Sequence, residues 1–150
     1  MQILIIAEHD NQTLKRATYH AVSAAQQLSK QITVLIIGYQ CQSVVEAARR
    51  LPVQQILVAD DAVYEYQLAE NSAALIVEQA KSYAYVITAA TTFGKNILPR
   101  VAALLNVDML SDVMQVIAPN QFVRPMYAGN VLATVQLDES IKLLTIRTTA

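Results

Sequence analysis

Within Phe122-Val-Arg-Pro-Met-Tyr-Ala-Gly-Asn-Val131, three side chains have types and spacing suited to recognition: Arg124, Tyr127 and Asn130. A guanidinium, a phenol and a carboxamide held on one small corner make a polar anchor for another surface. Arg124 precedes a proline, which confines its backbone to extended geometry. Ala128-Gly-Asn130 then permits a tight turn or a bulge. The same three residues would serve equally well in a hairpin corner that satisfies its own backbone. Both readings stand, and these three are the candidate interface residues.

The remaining reactive types are scattered. His9 and Asp10 follow the first apolar run, at a loop position where parallel sheets bind ligands, and could do acid–base work or hold a ribose. No second cluster points at them, so a helix cap and a solvated histidine are the simpler expectation. Thr91-Thr-Phe-Gly-Lys-Asn96 opens a helix after a strand, where free N–H groups attract anions. A P-loop needs an upstream glycine, and position 89 is Ala; Asn96 replaces the metal-binding hydroxyl. With only Gly38, Gly94 and Gly129 in the chain, no glycine-rich phosphate cradle is available, and plain capping is expected. Asp60-Asp61 reads as a turn. His20 reads as a surface residue in mid-helix. Cys41 has no cation near it in sequence and reads as inert. The tyrosines Tyr64, Tyr66, Tyr83 and Tyr85 read as rim and core rather than as a stacking platform. No catalytic, cofactor-binding or metal-binding residue is assigned.

The elements that position these residues alternate through the first two thirds. Ile3–Ala7 is a short continuous apolar run, as expected for a strand covered on both faces; Ile32–Ile37 is a second such run, and Gln55–Ala59 and Tyr85–Ala90 read as the third and fourth strands. Helical spacing spans 11–30, with Asn11 or Thr13 as the N-cap, and then Ser43–Leu51, Glu70–Ser82 and Ile97–Leu105. Pro99 is expected in the first turn of the last of these, since a proline deeper inside costs about 3 kcal/mol. Such alternation implies right-handed crossovers and a parallel sheet. After Asp112 four strands follow without helices: Val113–Ile117, Gln121–Met126, Val131–Leu137 and 142–148. They should form an antiparallel part, added to the sheet edge or folded as a small subsheet.

Composition excludes several classes. The chain has 150 residues, enough for one domain whose folding hides roughly 70% of the unfolded surface. Eleven Lys+Arg against 12 Asp+Glu leave no basic excess for nucleic acid. One cysteine permits neither an internal disulfide nor a thiolate cluster. Met1 leads straight into a strand, without a basic leader, an Arg/Ser-rich transit segment or an apolar span of ~20 residues. A cytoplasmic bacterial protein without membrane insertion is the expectation.

Several collinear runs resemble the electron transfer flavoprotein alpha subunit: Ile3-Leu-Ile-Ile-Ala-Glu8, Thr92-Phe-Gly-Lys-Asn-Ile-Leu-Pro-Arg-Val-Ala-Ala103, Ser111-Asp-Val113, Phe122-Val-Arg124, Tyr127-Ala-Gly-Asn130 and Leu144-Thr-Ile-Arg147. The resemblance covers nearly the whole chain as the N-terminal domain of that subunit, residues 1–150. It implies a three-layer α/β fold, mostly parallel, with the nucleotide-binding topology of adenine nucleotide alpha hydrolases and an antiparallel C-terminal part. It implies pairing with the beta subunit. FAD would sit mainly in a second alpha domain following Ala150, and AMP in the beta subunit, so no cofactor is assigned to this chain. Through the holoprotein, flavin dehydrogenases and a quinone oxidoreductase would be the electron partners. The domain itself would hold the pair together without catalysis. A free-standing nucleotide-binding module of the universal-stress-protein type is the alternative; the glycine shortage argues against it.

Overall fold

The computed structural model describes residues 1–148. Strands β1 (Ile3–Ile6), β2 (Ile32–Gly38), β3 (Gln55–Asp60), β4 (Tyr85–Ala89), β5 (Met109–Val113) and β9 (Lys142–Ile146) form a six-stranded sheet in the order β3-β2-β1-β4-β9-β5. Every neighbouring pair in it is parallel. Helices α1 (Arg16–Ala25), α2 (Gln42–Ala48), α3 (Ala69–Ala80) and α4 (Thr92–Leu105) connect the strands. β6 (Gln115–Ala118), β7 (Gln121–Met126) and β8 (Val131–Gln136) form a separate antiparallel sheet.

The two-residue period of the strands divides the core. Ile3, Ile5, Val34, Ile36 and Ile87 face one side, where α1, α2 and the small sheet cover them. Leu4, Ile6, Leu35, Ile37 and Val86 face the other, against α3 and α4. Burial on both faces is why the central strands read as unbroken apolar runs. The result is the expected three-layer α/β arrangement with an antiparallel C-terminal part.

The small sheet is pinned to the large one by Phe122, fully buried in the first core. Removing that ring from water contributes about 1.5–3 kcal/mol. The Tyr85 hydroxyl, donating to the Pro119 carbonyl at 2.6 Å, ties down the β6–β7 turn. Pro125 is tolerated in β7 because β6 pairs only as far as Val123; at Pro125 the strand has a neighbour on the β8 side alone.

Four features differ from expectation. The last strand is not antiparallel: β9 lies parallel between β4 and β5. Its run Leu143-Leu-Thr-Ile146 is wholly buried, as an interior strand requires. β5 lies almost wholly before the expected strand Val113–Ile117; it carries Ser111 and Asp112 and is broken by a bulge, so neither alternation nor a continuous apolar run marks it. Pro99 is not in the first turn of its helix, because Thr91 starts α4 well before Ile97. The proline deprives the Lys95 carbonyl of its helical partner, but both residues are exposed and water can reach that carbonyl. The α1 caps also differ: helix α1 begins after Lys15, and neither Asn11 nor Thr13 caps it.

Candidate interface site

The carboxyl ends of parallel strands are where such sheets bind ligands, above all where strand order reverses. Here the reversal lies between β1 and β4. The chain closes that point with its own groups. The Thr91 hydroxyl donates to Glu8 Oε1 at 2.6 Å. The same hydroxyl oxygen accepts from the Gly94 N–H as the α4 cap. A Cβ on Gly94 would run into the Ala89 carbonyl oxygen and come within 2.5 Å of the Thr88 hydroxyl. The missing side chain of Gly94 is thus used for helix–strand packing, not for a phosphate.

The loop after β1 is equally committed. His9 is buried, against the expected solvated histidine. Its Nε2 bonds the Ile37 carbonyl at 2.9 Å and its Nδ1 accepts from the Asn11 N–H at 3.0 Å. That pattern requires the neutral Nε2–H tautomer. Burial lowers the His9 pKa, against smaller opposing effects of the Ile37 hydrogen bond and the Asp10 and Glu8 charges. Asp10 folds back on its own loop, accepting from the Gln12 and Thr13 amides, which hold its pKa well below the usual carboxylate range. A Cβ on Gly38 would crowd Asn11 and lie 2.7 Å from the His9 ring.

Asp60 and Asp61 both serve turns. Asp60 accepts from the amides of Gln40 and Cys41, and Asp61 from the amide of Val63. Cys41 is fully buried, and burial together with the Asp60 carboxylate pushes its thiol up to about 11. His20 is exposed, as expected of a surface residue.

Along the same carboxyl edge, an open cleft of about 490 Å³ lies where β7, β5 and β9 end. Arg124, Tyr127, Asp112 and Arg147 line it. Arg124 donates from Nε to the Ser111 carbonyl at 3.1 Å. Asp112 sits in the β5 bulge at φ 62, its amide donating to the Thr145 hydroxyl at 2.8 Å. Arg147 Nε lies 3.9 Å from Asp112 Oδ1. Tyr127 and Ala128 adopt the left-handed φ values 50 and 57. For residues with a Cβ this conformation costs roughly 1–2 kcal/mol each. Such cost concentrates at functional sites, where the surroundings must enforce it.

The structure therefore brings Arg124 and Tyr127 onto one cleft. Asn130 is exposed and outside its lining; its amide closes the turn by donating to the Tyr127 carbonyl at 3.1 Å. Asp112 and Arg147 join the site without having been read as candidates. They are far apart in sequence, and only the insertion of β9 beside β5 brings them together.

A family model described as the electron transfer flavoprotein domain matches residues 3–150. The chain belongs to the electron transfer flavoprotein family. It is 50% identical over 150 residues to the electron transfer flavoprotein subunit alpha of Pseudomonas aeruginosa, covering 99% of this chain and 48% of that protein. The subunit alpha of Paracoccus denitrificans is 43% identical over 150 residues, with 99% and 48% covered. The mitochondrial subunit alpha of Arabidopsis thaliana is 43% identical over 157 residues, with 98% and 43% covered. The chain thus spans about half the length of the curated relatives it matches, and corresponds to their N-terminal portion. Among the described residues no helix is long and apolar enough to cross a membrane.

Proposed function

We propose that residues 1–150 are the N-terminal scaffold domain of an electron transfer flavoprotein alpha subunit, and that the domain holds the alpha–beta pair together. The carrying observation is a contrast along one sheet edge. The switch point between β1 and β4 is closed by the Thr91–Glu8 hydrogen bond, whereas the Arg124–Tyr127 corner opens a polar cleft to solvent.

The described residues do not fit an FAD pyrophosphate. Close backbone approach is blocked at Gly38 and Gly94, where even a Cβ would collide. FAD belongs in this reading to a second alpha domain of the complete heterodimer, and AMP to the beta subunit. The holoprotein carries electrons from flavin dehydrogenases to a quinone oxidoreductase, in the bacterial cytoplasm, and this domain has no catalytic step of its own. The same closed switch point disfavours a free-standing nucleotide module of the universal-stress-protein type.

Co-purification with the beta subunit of the same organism tests the proposal. Recovery with the unaltered chain is expected, and Arg124→Ala and Tyr127→Ala should each reduce it severalfold. Unchanged recovery with both variants would remove the corner from the interface.

A further inference from the structure

The subunit reading leaves open what chemistry the corner receives, and the inference below rests on that reading. We propose that the cleft takes an acidic side chain, Asp or Glu, from an extended segment of the beta subunit, gripped between the guanidinium groups of Arg124 and Arg147.

Both guanidiniums line the same cleft, and the carboxylate of Asp112 is the one acidic group among its lining residues. A local excess of positive charge on a chain of net charge -1 selects an anion by complementarity. Neither fork is saturated within the described residues. Arg124 commits Nε to the Ser111 carbonyl, which aims the rest of the group without occupying it. Arg147 meets Asp112 at 3.9 Å, and its Nη1 meets the Met114 sulfur, a weak acceptor, at 3.8 Å. A guanidinium fork matches a carboxylate through two parallel hydrogen bonds, and both lining arginines carry such a fork.

The surroundings favour a protein segment over a free anion. Met126 and Val131, directly paired at the ends of β7 and β8 and on the same strand face as Arg124, are 37% and 46% exposed. A small anion would leave this band in water. An acidic residue flanked by apolar ones would cover band and cleft together, giving the apolar contact and charged anchor of a protein interface. The Tyr127–Ala128 turn, left-handed without a glycine at either position, holds the cleft wall in the required shape before anything binds.

Calorimetric titration of the beta subunit into this chain, at about 0.05 M and about 0.5 M salt, tests the assignment. The unaltered chain should bind and lose affinity severalfold at the higher salt. Arg147→Glu should weaken low-salt binding about tenfold and abolish most of the salt dependence. Arg147→Gln should fall between, and Arg50→Glu, on the distant α2–β3 turn, should bind as the unaltered chain does. Circular dichroism melts check that each variant folds; the salt dependence of the unaltered chain stands without any variant. Binding that ignores both salt and Arg147 overturns the acidic contact and leaves the subunit reading intact. No binding by the unaltered chain overturns the subunit reading, and this assignment with it.

Discussion

His9 shows how a residue that looks chemical becomes structural. Its ring bridges the β1 loop to the end of β2, with both nitrogens used and the neutral form required. Because burial lowers its folded pKa below the ordinary 6.5, the unfolded chain takes up the proton more readily. The stability His9 contributes is therefore complete above about pH 6.5 and is lost as pH falls from there toward the folded value. Urea midpoints at about pH 7.5 and about pH 5.5 should show the unaltered chain weakening at the lower pH, and His9→Gln weakening less. Equal pH dependence in the two proteins would show that His9 is not the titrating group. Nothing local in Ala7-Glu-His-Asp reveals this burial, because the Ile37 carbonyl that takes the ring lies 28 residues away. Inertness of Cys41, by contrast, was legible from the lack of neighbouring cations, and its burial agrees. Arg124 and Tyr127 were legible as a pair because proline and a turn fix them locally. Asp112 and Arg147 were not, since their meeting depends on strand order.

Elements were readable where one physical rule governed them. Strands covered on both faces show as apolar runs, and β1, β2 and β4 were found that way. β9 carries the same mark, yet its hairpin-like neighbours suggested a fourth antiparallel strand; the chain instead returns from the small sheet to enter the parallel one. β5 escaped notice because its bulge and its polar Ser111-Asp112 hide it. For α4 the cap at Thr91 and the packing glycine at Gly94 decide the start, and Pro99 is then carried on the wet face. Gly94→Ala tests this close approach. Its Cβ would meet the Ala89 backbone carbonyl, which cannot rotate away, so a loss of about 1–3 kcal/mol is expected in urea unfolding. A variant as stable as the unaltered chain would mean that α4 can shift off β4 at little cost.

On the scale of the whole molecule, the two sides of the sheet divide the work. α1 and α2 share one face with the antiparallel subsheet, and α3 and α4 cover the other. The carboxyl edge, where related architectures hold ligands, is closed at β1 and β4 and carries an open cleft at the β5–β9 end. A domain so built keeps a nucleotide-binding topology while using Gly38 and Gly94 for packing. In the proposed heterodimer it contributes shape and a docking corner, and the flavin chemistry lies elsewhere.

The most direct measurement is equilibrium dialysis of the purified chain against FAD, read by visible absorbance after exhaustive washing. A colourless protein, with no flavin retained, is the expected result. Stoichiometric yellow protein, with flavin surviving the wash, would contradict the scaffold role.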